Sequence, residues 1–209
     1  MIMDSIRELT EYFTKFPGVG PRQARRMVFY ALRQKKEWVN ELAYKLQELK
    51  NEVTLCPSCF QHFVPTPHQT HANCPICADQ NRTPSSLLVV EKDIDLEILE
   101  KSNVYQGHYF VLGGLYAPLA KVPTAYIRNE QLATKINHLI PQGLTEVILA
   151  FSVTPDGDET VRFLHNSLKS FLPETVSITL LGRGLSTGSE LEYADPETLR
   201  NAFSRRATK

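Results

Sequence analysis

Four cysteines arranged in two pairs constrain this chain more than any other feature of its sequence. Each pair has a two-residue spacer, Cys56-Pro-Ser-Cys59 and Cys74-Pro-Ile-Cys77, and fourteen residues separate the pairs. This spacing lets both thiolates of a pair face one ion, and the second pair completes the tetrahedron typical of structural zinc. Because four protein ligands leave no open position, the predicted zinc stabilises a local fold and performs no chemistry.

Two alternatives to a site of four thiolates stay open. The cysteines could form a redox or disulfide pair, although we expect a cytoplasmic chain with no signal peptide and no membrane span, where thiols stay reduced. A histidine of the intervening loop could also replace one cysteine, the candidates being His62, His68 and His71. Four thiolates already satisfy the ion, which favours solvated histidines.

A glycine-rich turn, Phe16-Pro-Gly-Val-Gly-Pro21, separates two predicted helices over 4–16 and 21–34. Gly18 and Gly20 permit a tight turn whose backbone N–H groups, at the start of a helix, can bind a phosphate without reading base sequence. Three arginines follow within about a turn and a half of helix: Arg22, Arg25 and Arg26. The pattern predicts a helix-hairpin-helix that binds DNA, and a plain helical hairpin with a solvated basic face is the alternative.

Basic charge is concentrated at this end of a chain whose formal net charge is zero. Residues 1–50 contain ten Lys and Arg against six Asp and Glu, whereas residues 86–195 contain eight against fourteen. A neutral but polarised chain suggests that DNA contact is confined to part of the surface.

Strands and helices alternate after the cysteines, which predicts a mainly parallel sheet with helices on its faces. The predicted strands cover 86–91, 108–114, 145–151 and 176–182, and the helix after the third strand covers 159–172. The fold class is therefore α+β with several domains. We expect a helix-hairpin-helix region over 1–50, a four-cysteine zinc finger over 51–85, an α/β domain over 86–182 and a C-terminal tail over 183–209.

Acidic residues follow two of the predicted strands. Glu91 ends the first strand, and Asp156 and Asp158 lie just past the third. Ligands collect at the carboxyl ends of parallel strands, and carboxylates suit Mg²⁺. Alternatively, Asp-Gly-Asp is a simple turn and Glu91 a cap. The chain contains no P-loop, and we expect no catalytic activity.

The order of hairpin, paired cysteines and acidic α/β domain resembles the RecR family of bacterial recombination mediators. The similar segments are FPGVGPRQARRMVFYAL, CPSCF, CPICADQNR, LLVVEKDIDLEILEKS, HYFVLGGLYAPL, TPDGDET and GRGLSTGSELEYADPETLRNAF. Together they reach across nearly the whole chain, and the pattern L-x-x-G-x-E-L-E-Y-A-D in the last segment is the most particular.

The resemblance implies a Toprim fold for the α/β domain, with an acidic site that serves partner docking or Mg²⁺ binding at Glu91, Asp156 and Asp158. It implies sequence-independent binding of single- and double-stranded DNA by Gly18, Gly20, Arg22, Arg25 and Arg26. It further implies a homotetrameric, ring-like clamp with its tail as an oligomer contact. With RecO and RecF this clamp would help load recombinase onto SSB-coated single-stranded DNA, in the cytoplasm and on the nucleoid.

Two segments depart from the family's pattern. AKVPTAYIRNEQL lacks the short glycine-proline loop that usually follows LGG, and Asp156-Gly-Asp158 stands where the family usually has Glu-Gly-Glu. The first departure affects the surface of the 120–130 loop, and the second conserves charge. Two other functions stay open: a Mg²⁺-dependent Toprim nuclease or primase-like enzyme, and a protein-interaction scaffold that never contacts DNA.

Overall fold

The computed structural model of this chain describes residues 2–67, 72–182, 192 and 196–204. The chain forms two compact units, Met1–Thr54 and Leu55–Lys209. The predicted tail over 183–209 lies outside the described residues except for residue 192 and a helix over 196–204.

Three helices make up the first unit: α1 (Ile2–Phe13), α2 (Pro21–Arg33) and α3 (Lys36–Glu52). Helices α1 and α2 were predicted on either side of the glycine-rich turn, and α1 ends three residues earlier than predicted because the chain turns from Thr14 onward. Helix α1 packs against α2, whose Ala24 and Val28 are buried. These contacts fix the two helices on either side of the glycine-rich turn.

Helix α3 has no buried residue, although its sequence is amphipathic. Its apolar side chains recur at helical spacing and are 38–56% exposed: Trp38, Leu42, Leu46 and Leu49. A row of this kind normally packs against another element. Within the described residues, the apolar face of α3 therefore remains largely uncovered.

The second unit begins with the cysteine module, which we define as residues 55–79. It contains the short strands β1 (Thr54–Leu55) and β2 (His62–Phe63), which pair with each other, and the one-turn helix α4 (Pro75–Ala78). The only side chains of the module that form a buried cluster of their own are cysteines, in the part that the structure describes. The described residues of the module therefore contain no apolar core that could hold it together.

A four-stranded sheet follows, and all its strands are parallel, as predicted. Its strands are β3 (Thr83–Val90), β4 (Gly107–Val111), β5 (Glu146–Ala150) and β6 (Ser177–Leu180), in the order β4-β3-β5-β6. Val90 pairs with Val111 of β4 and with Ala150 of β5. The carboxyl ends of these three strands therefore lie side by side.

Helices cover both faces of the sheet: α5 (Asp93–Lys101), α6 (Asn129–Leu139) and α7 (Pro155–Lys169), with α8 (Pro196–Ser204) near the C terminus. Leu87 and Val89 of β3 join a core with α6 and α7, whereas Leu88 and Val90 join a second core with Leu96 of α5. Alternate residues of one strand thus serve two cores. None of the described helices has both the length and the apolar composition needed to cross a membrane.

The start of α7 corrects one prediction. The helix begins at Pro155, not at Glu159, because Thr154 caps it by accepting a hydrogen bond from the Gly157 amide at 3.1 Å, and proline is favoured in a first turn. Asp156 and Asp158 consequently lie in the first turn of a helix and not in a preceding loop.

Candidate metal centre and nucleic-acid interface

The four cysteine thiols converge in the cysteine module. Their Sγ atoms all lie within 4.8 Å of one another, and those of Cys59 and Cys74 are 3.6 Å apart. A tetrahedral zinc ion with Zn–S bonds of about 2.3 Å requires sulfur separations of about 3.8 Å. The four side chains therefore form a cluster able to bind a metal, and its dimensions fit zinc.

Backbone hydrogen bonds shape both cysteine pairs. In the first pair, the Phe60 amide donates to the Cys56 carbonyl at 2.9 Å, and Phe60 takes a left-handed φ of 61°. In the second pair, the Cys74 sulfur accepts from the Cys77 amide, and the Cys74 amide donates to the Cys56 sulfur at 3.4 Å. N–H groups directed at sulfur favour the thiolate, which is the form that binds metal.

The thiols also alter one another's ionisation. Hydrogen bonds from the neighbouring thiols, that of Cys59 first, lower the pKa of Cys56. Hydrogen bonding to Cys56 and the other sulfurs, together with burial, raises the pKa of Cys59. Four crowded thiols cannot all ionise without a cation among them, so metal binding releases the protons that remain.

The cysteine module is attached to β4, the edge strand of the sheet. The Val111 amide donates to the Cys59 carbonyl at 2.8 Å. On one face of the sheet, the Phe60 ring packs against Phe110 with 5.4 Å between centroids, and Ile76 joins the core on the other face. Side chains next to the two cysteine pairs, Phe60 and Ile76, therefore contact the cores on opposite faces of the sheet.

Two cations that the sequence patterns did not single out, Arg128 and Lys135, contact the module, and a third, Arg82, connects α5 to β4. Arg82 is buried, pairs with Glu100 and donates to the Gly107 carbonyl at 3.0 Å. The Arg128 guanidinium lies 5.3 Å from the centroid of the Phe60 ring and donates to the Val111 carbonyl at 2.9 Å. Such contacts join distant segments, so residue spacing does not reveal them.

Of the three loop histidines considered as alternative ligands, only His62 belongs to the described residues. Its amide donates to Asp93 Oδ1 at 2.6 Å, and its Nδ1 lies 3.1 Å from Asp93 Oδ2. This carboxylate, at the first position of α5, engages the His62 ring, and the sulfur cluster does not include it. His68 and His71 lie outside the described residues.

The glycine-rich turn of the first unit leaves the start of α2 open. Gly18 has a φ of +75°, which favours glycine, and the Val19 amide donates to the Phe16 carbonyl at 3.1 Å. Gly20 is the residue that precedes α2, and no side chain caps the helix there. The first N–H groups of α2 are therefore available to an anion.

The three arginines that follow the turn are exposed: Arg22, Arg25 and Arg26. Arg25 lies 5.7 Å from the centroid of the Phe29 ring, and Arg26 donates to the Gln23 side chain at 3.5 Å. Throughout the described chain, no carboxylate forms an ion pair with any of the three. Their charge is thus free to bind an anionic ligand such as the DNA backbone.

Glu91 lies at the carboxyl end of β3 and is only 6% exposed. Its carbonyl accepts from the Gly113 amide at 2.9 Å, and its carboxylate lies 2.7 Å from the Lys92 ammonium. That hydrogen bond raises the pKa of Lys92. The carboxylate therefore already has a cationic partner from its own chain.

Asp156 is exposed and Asp158 half-buried in the first turn of α7, which follows β5 next to β3. Carboxylates are favoured at this end of a helix. Among the His, Cys, Asp and Glu residues that the structure describes, the four cysteines alone form a group of three or more that could hold a metal. The acids at the sheet edge are not brought together in such a group.

Comparison with known proteins adds three matching family models. The model "RecR, helix-hairpin-helix" matches residues 6–50, "Toprim domain" matches 85–181 and "RecR, C-terminal" matches 184–206. Similar proteins include those named "Recombination protein RecR" from Streptococcus equi subsp. zooepidemicus, Streptococcus mutans and Streptococcus thermophilus. They are 37%, 37% and 36% identical over 201 residues, 96% of this chain and 96% of each relative. The chain belongs to the RecR family.

Membership of the RecR family confirms the resemblance seen in the sequence and the predicted fold class. The helix-hairpin-helix, the Toprim domain with its parallel sheet, the four-cysteine cluster and the C-terminal RecR segment are all present. The family name also supports a role in recombinational DNA repair.

Proposed function

We propose that this RecR-family protein is a non-catalytic accessory of recombinational repair that holds DNA as a ring-like clamp. With RecO and RecF it helps load recombinase onto SSB-coated single-stranded DNA of the nucleoid, in the cytoplasm. The observation that carries the proposal is that two features occur together in the first unit. Three exposed arginines have no acidic partner in the described chain, and no side chain caps the start of α2 beside them. Both features bind phosphate irrespective of base sequence.

We propose a homotetramer as the working form. The exposed apolar face of α3 supports an interface in the first unit, because such a face is normally covered by another element. The C-terminal tail over 183–209 would supply the second interface that a closed ring requires.

The cysteine cluster is proposed to hold a structural zinc ion through Cys56, Cys59, Cys74 and Cys77, whose sulfur spacing fits a tetrahedral ion. When bound, the ion contributes folding free energy to a module without an apolar core. The acids Glu91, Asp156 and Asp158 are proposed to dock a partner and not to hold Mg²⁺, because they form no metal-holding group among the described residues. Their place at the carboxyl edge of a parallel sheet, where ligands collect, supports this role.

Replacing Arg22, Arg25 and Arg26 together by Gln is expected to lower DNA affinity by roughly 10²-fold at about 0.1 M salt. Loss of three phosphate contacts should also reduce the slope of log affinity against log salt by about 3 for duplex DNA. Fluorescence anisotropy with single-stranded, double-stranded and gapped DNA measures both quantities, with and without RecO.

The matched control removes three positive charges from the second unit, in Lys121, Arg162 and Lys169, by substitution with Gln. This control has the same net charge as the triple arginine variant and should keep near wild-type affinity. Unchanged affinity in the arginine variant would contradict the proposal and favour a scaffold that never contacts DNA. An equal loss of DNA affinity in both variants would show that binding depends on overall charge and not on the arginines beside the glycine-rich turn.

Incubation of the protein with DNA and Mg²⁺ is expected to leave the DNA intact, because the acids at the sheet edge form no metal-holding group in the described residues. Gel analysis of labelled single- and double-stranded DNA over hours tests this expectation. Mg²⁺-dependent cleavage that disappears in Asp156→Ala would support a nuclease instead. Cleavage that persists in that variant would indicate a contaminant.

A further inference from the structure

Lys135 is a charged residue on the apolar side of a helix. The residues of α6 that are buried are Leu132, Lys135, Ile136 and Leu139, the i, i+3, i+4, i+7 spacing of a core-facing stripe. Lys135 is only 9% exposed. A lysine at such a position needs a partner, because a buried ammonium without one is costly.

The partner lies in the cysteine module. Lys135 Nζ donates to Ser58 Oγ at 2.6 Å, across 77 residues of chain. Ser58 stands between the cysteines of the first pair, Cys56 and Cys59. The ammonium is therefore held beside the metal-binding loop.

A hydroxyl is neutral, so this hydrogen bond leaves the positive charge of Lys135 uncompensated. No carboxylate of the described residues lies within 4.0 Å of the ammonium. The nearby His108 illustrates the excess of positive charge: burial first, and then the charge of Lys135, keep its pKa below the usual value. The positive charge of Lys135 is therefore available to a negatively charged group beside Ser58.

The four thiolates would provide such a group once zinc is bound, since one Zn²⁺ and four thiolates carry a formal charge of about −2. A second cation from the start of α6 contacts the same loop: the Arg128 guanidinium lies over the ring of Phe60, directly after Cys59. Two positive side chains of one helical segment thus lie against the first cysteine pair. Their positive charge is opposite in sign to the formal negative charge that the four thiolates would carry with zinc bound.

We propose that Lys135 is a positioning residue of the metal centre, whose ammonium offsets the negative charge of the zinc–thiolate cluster and holds the first cysteine pair against α6 through Ser58. The inference rests on the proposed structural zinc. It implies that zinc affinity depends on a residue of the Toprim domain that ligates nothing. Outer-shell partners of metal ligands commonly alter metal affinity by about 10- to 100-fold.

The test compares Lys135→Met with the wild-type protein by chelator competition for zinc. The dissociation constant for zinc should rise about 10- to 100-fold in Lys135→Met. Lys135→Arg, which keeps the charge, should stay within a few-fold of wild type. Lys121→Met is the matched control, because Lys121 is exposed and has no ion pair in the described chain, and it should not change zinc affinity.

Stability measurements separate this role from simple packing. The zinc-loaded Lys135→Met variant should melt below zinc-loaded wild type, whereas the metal-free variant should be at least as stable as metal-free wild type, because an uncompensated buried charge has been removed. Equal destabilisation in both states, or a zinc dissociation constant within about two-fold of wild type, overturns the proposal.

Two other results would also decide the question: a Lys135→Met variant that does not fold, and a wild-type protein that takes up no zinc. If Lys135→Met does not fold, Ser58→Ala decides: a several-fold rise in the zinc dissociation constant supports the proposal, and an unchanged value overturns it. If the wild-type protein takes up no zinc in metal analysis, the proposed zinc site and this inference both fail. Normal zinc uptake with unaltered affinity in the variants refutes the role of Lys135 alone.

Discussion

Removal of zinc, by chelation or by Cys74→Ser, is expected to unfold the cysteine module over residues 55–79. Cys74 is central to the cluster, because its sulfur lies 3.6 Å from that of Cys59 and its amide donates to the Cys56 sulfur. Structural zinc sites contribute about 10–16 kcal/mol of apparent binding free energy. That exceeds the margin of stability of many whole domains, about 5–15 kcal/mol.

The effect should extend to the edge strand β4 and not stop at the module. Hydrogen exchange is expected to accelerate at the Val111 amide, which donates to Cys59, while the central strand β3 keeps its protection. The melting temperature of the second unit should fall by about 10 °C or more. Metal analysis, amide exchange and thermal unfolding measure the three effects.

Ala72→Ser is the matched control for Cys74→Ser, because it introduces the same side chain at an exposed position two residues away. This variant should retain zinc, and its Val111 amide should exchange hydrogen at the wild-type rate. A purified protein without metal, or a chelated protein with unchanged exchange at Val111, would contradict the assignment of the four cysteines as zinc ligands.

Gly157→Ala is expected to disturb the first turn of α7 and with it both acids of the sheet edge. A Cβ atom on Gly157 would lie 2.1 Å from the Ser152 carbonyl oxygen and 3.2 Å from Thr154 Oγ1. Since the closest atom belongs to the backbone, the turn before the helix must move or the helix start must unwind. The cost should be about 1–3 kcal/mol, the usual range for overpacking.

Thermal unfolding should show a decrease of several degrees, at roughly 2–4 °C per kcal/mol for a unit of this size. Exchange at the Asp158 amide, which donates to the Thr154 carbonyl at 2.9 Å, should accelerate. Asn166→Ala is the control, because it adds alanine at an exposed position of the same helix and should be neutral or slightly stabilising. Equal stability of Gly157→Ala and wild type would show that the turn adapts at no cost.

The features that could be predicted from the sequence are those encoded by short spacings. Two residues between Cys56 and Cys59 dictate how their thiols face one ion, and two glycines around Val19 dictate a tight turn. The parallel sheet could also be predicted from the sequence, because buried strands that alternate with helices are compatible with few other topologies. In each case the signal lies within a few neighbouring residues or in a simple alternation.

The features that escaped prediction have two different causes. The early start of α7 is encoded locally, by Thr154 before Pro155. The Asp-Gly-Asp motif, however, is also typical of a turn, and the helix was therefore predicted to begin after it. The contacts of Arg128 and Lys135 with the cysteine module depend instead on how distant segments pack. A lysine in an apolar stripe indicates that a partner exists, but the sequence does not identify Ser58 as that partner.

The position of the cysteine module at β4 has a consequence for how the protein avoids misassembly. An uncovered edge strand offers unpaired backbone groups to strands of other molecules, and β4 is short and apolar. The Val111 amide donates its hydrogen bond to the Cys59 carbonyl, and Phe60 and Ile76 of the module pack against the cores on the two faces of the sheet. The module thus acts as a cap against strand-to-strand aggregation. A newly synthesised chain acquires that protection only when its cysteine module folds. On the proposed zinc site, metal supply during synthesis would therefore affect its solubility as well as its stability.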